Sequence, residues 1–224
     1  YLERKWGVYF CMGGTGKLVQ ALHGLLLRAG VTVELNVDIE EITLSRGLAN
    51  GAIAKCGKIF KADRVICNGD PPTVYAQMLP ADGQKRRRLA SEKLTHYSMG
   101  LYVLFFGTKR QYPDVAHHTI WMGPRYKELL KDIFEKKILS DDFSLYLHRP
   151  TATDPSFAPD GCDSFYVLCP VPNLRGKINW NEEGPKLKNR IIKALSNTIL
   201  PDLESEITEA FAMTPEDFKS DYRS

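Results

Sequence analysis

The sequence predicts an α+β fold in which a mixed or antiparallel sheet is covered by helices. Apolar runs rich in β-branched and aromatic residues at 97–107 and 164–171 indicate strands. Segments with apolar residues three and four positions apart, at 15–29, 126–138 and 182–198, indicate amphipathic helices. The chain has 224 residues, 43% of them hydrophobic, which is enough for one large domain or two small ones.

The first seventy residues combine one helix with several short strands. The helix at 15–29 can be capped by Thr15 and can end at Gly30, which tolerates the left-handed conformation. Alternating apolar residues predict strands at 31–35 and 38–45. Further predicted elements are a tight turn at Asn50-Gly51, a hairpin of 52–55 with 58–60, and a strand at 64–67.

The pattern changes after Asn68-Gly69-Asp70-Pro71-Pro72, where the strands and helices become longer. The predicted helices are 73–79, 82–94, 126–138 and 182–198, with a short helix after Pro201. The predicted strands are 97–107, 120–122, 143–148, 164–171 and 207–213. We therefore place a domain boundary here and predict two domains, 1–70 and 71–224.

Both faces of the predicted sheet are apolar. Along 97–107, one face carries Leu101, Val103 and Phe105, and the other carries Tyr102, Leu104 and Phe106. An antiparallel sheet with one solvated face should alternate between apolar and polar residues, so both faces must be covered. Helices can cover one face. Further protein or an apolar ligand covers the other, unless the sheet is a plain buried layer of a sandwich.

Composition excludes several classes of function. The net charge of +3 is too small to indicate a nucleic-acid partner. No apolar run reaches the roughly 18 residues that a transmembrane helix needs. The five cysteines never form a CxxC pair, which favours reduced cytoplasmic thiols over disulfides or a zinc site. The chain opens on Tyr1 and its first methionine is Met12, so we expect an interior piece of a longer protein.

The glycine-rich segment Cys11–Leu18 fits neither common nucleotide-binding pattern. A phosphate loop requires glycine where Cys11 stands and serine or threonine where Leu18 stands. The dinucleotide pattern requires a third glycine where Val19 stands. Two interpretations remain for Gly13 and Gly14: a tight turn that leads into a helix, or N–H groups that face an anion or a flavin edge.

The histidines predict no metal site. His117 and His118 are adjacent, so on a strand they would point to opposite faces and could not share one ion. His148 is the polar tip of an apolar strand and is expected to be a hydrogen-bonded boundary residue rather than a general base. We predict no metal ligand and assign no catalytic residue.

Two basic segments allow either a structural or a lipid-binding interpretation. The cluster Lys85–Arg88 is typical of a solvated helix face but would also suit anionic headgroups. The helix at 126–138 has an apolar stripe and a lysine-rich back, so it either packs on the sheet or lies at a membrane surface.

Several long strings together resemble the bacterial and fungal type of phytoene desaturase. They are Leu2–Phe10 followed by Gly13–Gly16, Ala116–Ile120 with Gly123–Tyr126, Asp142–His148, and Phe165–Pro172. These strings occur in the family's order, and the resemblance runs through nearly all of the chain.

The resemblance implies an FAD-dependent carotenoid desaturase of the flavin amine-oxidase superfamily, which takes phytoene toward lycopene by successive dehydrogenations. It implies that 1–70 is part of an FAD-binding α/β domain and that 71–224 is the substrate-binding domain. Ile39 would contact the adenine end of FAD through its backbone, and Gly13 and Gly14 would lie near the flavin. The family's N-terminal glycine fingerprint and C-terminal flavin-contacting segment are absent from this sequence, so we expect the chain alone to be inactive and to need those missing parts as partners.

Phytoene carries no group to ionise or hydrogen-bond, so its recognition must come from buried apolar area at roughly 25 cal/mol per Å². Strand parity makes Tyr102, Phe106, Tyr146 and Tyr166 candidates for the wall of a substrate groove. The expected location is the cytoplasm, with peripheral attachment to a membrane. The alternatives are a related carotenoid isomerase, ketolase or desaturase, and a non-catalytic module that binds an apolar ligand or docks on a membrane.

Overall fold

The computed structural model describes residues 1–80 and 95–222 of the chain. Its helices are α1 (Leu2–Trp6), α2 (Thr15–Arg28), α3 (Pro71–Thr73), α4 (Tyr126–Lys131), α5 (Trp180–Ser196), α6 (Leu203–Glu206) and α7 (Pro215–Tyr222). Single π-helical turns follow α3 at Val74–Met78 and α4 at Asp132–Lys136. The strands are β1 (Ile39–Ser45), β2 (Leu48–Ala54), β3 (Ile59–Lys61), β4 (Gly100–Thr108), β5 (His118–Trp121), β6 (Leu145–His148), β7 (Asp163–Val171) and β8 (Ile207–Met213).

The described residues form two compact units. One unit contains Tyr1–Leu22 and the segment that begins at Ser98, and the other contains His23–Tyr97. The first holds a five-stranded sheet and the second a three-stranded sheet, and every strand pair in both is antiparallel. The predicted α+β class with helix-covered antiparallel sheet is therefore confirmed. The assignment of 1–70 and 71–224 to flavin- and substrate-binding domains stays a prediction.

The smaller sheet has the strand order β1-β2-β3. Its first turn lies at Arg46-Gly47, where both residues have positive φ angles of 52° and 79°. The prediction of a turn at Asn50-Gly51 was wrong, because Asn50 belongs to β2 and its side chain accepts a hydrogen bond from Thr43 Oγ1 at 2.8 Å. The predicted pairing of 52–55 with 58–60 is present between β2 and β3.

Replacing Gly47 by alanine should destabilise the smaller sheet by about 1 kcal/mol. A Cβ at Gly47 would meet no atom within 4 Å, so the cost comes from the left-handed backbone alone. Gly24→Ala is the matched control, because this glycine lies inside α2 and alanine there should stabilise the helix by about 1 kcal/mol. Urea unfolding of both variants measures the two effects. Equal changes in the free energy of unfolding for the two variants would contradict the turn assigned to Arg46-Gly47.

Four other predictions, all within residues 15–94, have different outcomes. The helix at 15–29 is confirmed as α2, but its apolar stripe is exposed and none of its residues is buried. The strands predicted at 31–35 and 64–67 are wrong, because neither segment finds a strand partner among the described residues. The helix at 82–94, with its Lys85–Arg88 cluster, lies outside the described residues.

The larger sheet has the strand order β5-β6-β7-β4-β8. One face packs on α5, whose Leu187, Ile191 and Leu195 are completely buried. The strand residues in the same core are Tyr102, Leu104, Phe106, Leu145, Leu147, Phe165, Val167, Cys169 and Val171. Helix α5 begins two residues earlier than predicted, at Trp180, whose ring stacks on Tyr102 with centroids 6.1 Å apart. The opposite face of this sheet, here called the open face, carries the partly exposed side chains of Phe105, Tyr146, His148 and Tyr166.

The segment predicted as one helix at 126–138 is α4 followed by a π-helical turn. Leu129 and Ile133 point inward and are 4% and 3% exposed. Lys137 adopts a left-handed conformation that ends the segment. Two residues of the apolar stripe at 126–138 are therefore buried, while Phe134 and Ile138 of the same segment are about half exposed.

Candidate functional site

A row of aromatic rings crosses the open face of the larger sheet. In register across five strands lie Phe211 on β8, Phe105 on β4, Tyr166 on β7, His148 on β6 and His118 on β5. The successive ring centroids are 4.7, 5.9, 4.6 and 5.2 Å apart. We call these five residues the aromatic row. With neighbouring strands about 4.8 Å apart, the row spans about 19 Å.

The four predicted groove residues divide between the two faces of the sheet. Tyr102 and Phe106 lie on the covered face and are 1% and 4% exposed. The hydroxyl of Tyr102 donates to the carbonyl oxygen of Gly184 in α5 at 2.9 Å, and Phe106 stacks on Phe165. Tyr146 and Tyr166 lie on the open face with centroids 5.9 Å apart. Tyr102 and Phe106 therefore cannot share one wall with Tyr146 and Tyr166.

The expectation that His117 and His118 point apart was wrong. Strand β5 begins at His118, so His117 precedes the strand and escapes its alternation. Their ring centroids are 4.5 Å apart, and the ring of His148 lies 4.6 Å from that of His117. His148 does hydrogen-bond at the end of a strand, as predicted, since its Nδ1 lies 3.5 Å from Nδ1 of His118. Together the three residues form a cluster, here called the histidine cluster.

Burial favours the uncharged forms of three side chains in and beside this cluster. Burial, followed by the neighbouring His117 and His118, lowers the pKa of His148 to about 4. Burial and the proximity of His118 also lower the pKa of His117. Burial and a hydrogen bond with Tyr166 raise the pKa of Tyr146 to about 12. These groups therefore present rings without formal charge, which suits an apolar ligand.

A buried ion pair fixes the loop that positions the cluster. Arg149 follows His148 directly, and its Nε donates to Asp163 at 2.8 Å with both side chains almost fully buried. Asp163 also accepts hydrogen bonds from the backbone N–H of Tyr112 and the hydroxyl of Thr151. The N–H of Arg149 donates to the carbonyl oxygen of His117 at 2.9 Å. The ion pair thus ties β7 to both segments that carry histidines.

The glycine-rich segment docks on the loop that follows the ion pair. The N–H of Gly13 donates to Asp154 Oδ2 at 2.8 Å, and the N–H of Gly14 donates to the carbonyl oxygen of Cys11 at 2.7 Å. Gly14 has a φ of 82°, and a Cβ there would lie 2.8 Å from the ring of Phe157. Of the two interpretations left open, this geometry favours the tight turn, because both N–H groups already have partners.

Ile39 is better placed to meet a cofactor. It opens β1, which lies at one edge of the smaller sheet. The outer edge of β1 pairs with no other strand in the part of the chain that the structure describes. Backbone groups on this edge can hydrogen-bond a ligand, which fits the expected backbone contact with the adenine end of FAD. The contact itself stays a prediction.

The sequence pattern does not reveal that one surface contains Phe105, Phe211, His118 and His148. Strand parity shows which residues share a face but not which face a helix covers. A usable signal lay in β6, where Tyr146 and His148 share one face and the other carries only aliphatic side chains. Polar tips on an otherwise apolar strand mark the face that is not fully sealed.

Within the described residues, no helix combines the length and apolar character needed to cross a bilayer.

Comparison with curated proteins finds close relatives among carotenoid enzymes. The chain is 43% identical to a lycopene-forming phytoene desaturase of Pseudescherichia vulneris, over 97% of the chain and 44% of that protein. It is 42% identical to a lycopene-forming phytoene desaturase of a Paracoccus species, over 98% of the chain and 44% of that protein. A neurosporene-forming phytoene desaturase of Rhodobacter capsulatus is 41% identical over the whole chain and 44% of its own length. The chain thus spans less than half the length of these relatives.

Solved structures share the fold at low sequence identity. An oxidoreductase of Methanosarcina mazei superposes with a TM-score of 0.64 at 17% identity, covering 91% of this chain and 43% of that one. A protein of Pyrococcus furiosus superposes with a TM-score of 0.62 at 14% identity, covering 94% of this chain and 45% of that one. The sequence pattern of the flavin-containing amine oxidoreductases matches residues 1–153. The resemblance drawn from the sequence is therefore confirmed, and the chain belongs to the flavin-containing amine oxidoreductase family.

Proposed function

We propose that the chain is part of an FAD-dependent phytoene desaturase that dehydrogenates phytoene toward lycopene in carotenoid biosynthesis. The observation that carries this proposal is the aromatic row on the open face of the larger sheet. Its phenylalanine, tyrosine and histidine rings are in register across five strands and lie beside neutral side chains. The relatives named as phytoene desaturases support the choice of substrate.

The open face suits a hydrocarbon because it presents apolar surface rather than charged groups. Each Å² of apolar surface removed from water contributes roughly 25 cal/mol, and ring faces add dispersion contacts along a polyene. Phe211 is 62% exposed and Ile120, on the same face, is 61% exposed, so the ends of this face have apolar area still to bury. The residues of the row would hold the polyene flat and keep water from it.

In this proposal, bound FAD would supply the hydride acceptor: a hydride would leave an allylic carbon and a proton would leave the neighbouring carbon, so that a double bond forms between them. Within the chain, the backbone at Ile39 would hold the adenine end, since β1 presents an edge free of strand partners in the described residues. The N–H groups of Gly13 and Gly14 are engaged within the chain and would shape the nearby loop rather than bind the cofactor.

The remaining parts of the enzyme would cover helix α2. Its apolar stripe is exposed at Leu18, Leu22 and Leu25 by 48–54%, which is unusual for a helix of this pattern. Because the chain spans 44% of its relatives, the proposal assigns this stripe to segments of the FAD-binding domain that lie outside the sequence.

We place the enzyme in the cytoplasm, attached peripherally to a membrane. All five cysteines are free thiols, which fits a reducing compartment. The segment of α4 and its π-helical turn exposes Tyr126, Phe134 and Ile138 by 46–49% beside Lys127 and Lys131. Apolar side chains flanked by lysines suit the surface of an anionic bilayer, from which an apolar substrate would be taken up.

Vesicle binding tests the membrane attachment. Replacing Phe134 and Ile138 together by glutamate should weaken binding to phosphatidylglycerol vesicles at least tenfold, because two apolar anchors are lost and two negative charges are added. The control is the double glutamate variant of Leu48 and Ile59, which are even more exposed, at 74% and 62%, but belong to the smaller sheet. Sedimentation of the complete protein with vesicles gives both values, and equal losses would reject this attachment surface.

The visible spectrum and products of the purified complete protein test the function. Flavin bands, together with conversion of phytoene into products that contain more conjugated double bonds, would support the proposal. Carotenoid bands without flavin would favour the alternative of a non-catalytic carrier. Geometric isomers or oxygenated products without new double bonds would instead favour a related isomerase or ketolase.

A further inference from the structure

The histidine cluster brings three imidazoles close enough to hold one metal ion. One ligand atom from each of His117, His118 and His148 lies within 4.8 Å of the other two. Nitrogens bound to zinc at 2.0–2.1 Å in a tetrahedral site are about 3.4 Å apart. The Nδ1 atoms of His118 and His148 are already 3.5 Å apart, and the widest gap exceeds the ideal by about 1.4 Å. Small rotations of the rings would close it.

A second observation points to a missing ligand. The Nε2 atom of His117 is buried and has no hydrogen-bond partner among the residues that the structure describes. Its other ring nitrogen, Nδ1, lies 2.5 Å from the hydroxyl of Thr153. A buried polar atom without a partner is costly, and metal-binding histidines commonly use one nitrogen for the metal and the other for an orienting hydrogen bond. His117 already has this arrangement, with its second nitrogen free.

The surroundings hold the three rings in place. The ring of Phe10 packs edge-on against His117 at 4.7 Å, and the ring of Tyr166 stacks on His148 at 4.6 Å. His118 Nδ1 lies 2.6 Å from the hydroxyl of Tyr146, so a metal ion bound by this nitrogen would take the place of that hydrogen bond. An apolar shell with orienting hydrogen bonds is the environment that strengthens metal sites.

We propose that His117, His118 and His148 bind one divalent cation of the zinc class. Three neutral imidazoles are a donor set preferred by Zn²⁺ and Co²⁺ rather than by Mg²⁺ or Ca²⁺, which prefer oxygen. A cavity of about 330 Å³, lined by His117, His118 and Thr153 together with Val8, Tyr9 and Phe10, adjoins the cluster. It leaves room for a fourth ligand, which is the arrangement of zinc sites with an open position.

The test is a zinc titration of the complete protein without a polyhistidine tag, after removal of metals with a chelator. We expect one equivalent of Zn²⁺ to bind, and His118→Ala and His148→Ala each to weaken its affinity at least tenfold. His118 is exposed, so its replacement should not disturb folding, and circular dichroism of each variant checks this. His23→Ala, which removes a histidine from α2 outside the cluster, is the control and should bind as the parent does.

Substitution with Co²⁺ identifies the ligands. Visible d–d bands without a sulfur-to-cobalt charge-transfer band would support a site made of imidazoles. Absence of saturable binding, equal affinity of the His118 and His148 variants and the parent, or a charge-transfer band that places the ion on a cysteine would each overturn the proposal. Because these readouts measure binding, they are independent of the proposed dehydrogenation and of its failure.

Discussion

Replacing Phe105 by aspartate in the complete protein is expected to lower kcat/KM for phytoene at least a hundredfold. Phe105 lies inside the aromatic row, between Phe211 and Tyr166. A carboxylate there would have to lose its hydration against a hydrocarbon that offers no compensating hydrogen bond, a cost of several kcal/mol. A hundredfold loss corresponds to about 2.7 kcal/mol. Phytoene in vesicles, with products separated by chromatography, provides the measurement.

Two controls separate a lost contact from a lost fold. Phe105→Leu keeps the apolar surface and should retain activity within a few-fold of the parent. Ile66→Asp adds the same charge at a residue of the smaller unit that is 97% exposed, and should change little. Flavin content and melting temperature are measured for every variant. A Phe105→Asp variant that folds and turns over phytoene normally would refute the assignment of the open face as the substrate wall.

Replacing Asp163 by alanine is expected to lower the free energy of unfolding by about 3–5 kcal/mol. The change leaves the Arg149 guanidinium buried without its carboxylate partner. It also removes the acceptor of the Tyr112 N–H and the Thr151 hydroxyl. A buried charge that loses its partner costs far more than the pair contributes when intact. Urea unfolding, followed by circular dichroism, measures the difference.

An exposed ion pair provides the control for this effect. Asp141 lies 3.3 Å from Arg190, and its side chain is fully exposed. Asp141→Ala should therefore change stability by less than about 1 kcal/mol. Replacing both Arg149 and Asp163 by apolar residues of similar size should cost less than Asp163→Ala alone, because no charge remains buried. Equal losses for Asp163→Ala and Asp141→Ala would contradict the role given to the buried pair.

The strands of the larger sheet were predictable because their signal is local. The runs at 97–107, 164–171 and 207–213 each became a strand with bounds shifted by at most a few residues. In the first two runs, enrichment in β-branched and aromatic residues distinguishes a strand from a buried helix segment. The weaker signal at 31–35 failed because a short alternating run forms a strand only when a partner strand supplies hydrogen bonds.

The covered face of the sheet was not predictable from alternation. On β7 the polar-tipped Tyr166 faces the open side, as a polar tip suggests. On β4 the same reasoning fails, because the hydroxyl of Tyr102 is satisfied by the Gly184 carbonyl in α5 and the ring can be buried. The partner of that hydroxyl is 82 residues away in sequence. Only packing reveals such a contact.

The sequence by itself determined the class of fold, the family and the apolar character of both faces of the sheet, because all three depend on composition and on patterns within short stretches. The tertiary structure decided which rings share the open face and that three histidines meet at its edge. Those outcomes depend on the strand order β5-β6-β7-β4-β8, which joins segments distant in the chain. Strand order results from the packing of whole elements. The alternation of apolar and polar residues along one strand does not indicate which strands become its neighbours.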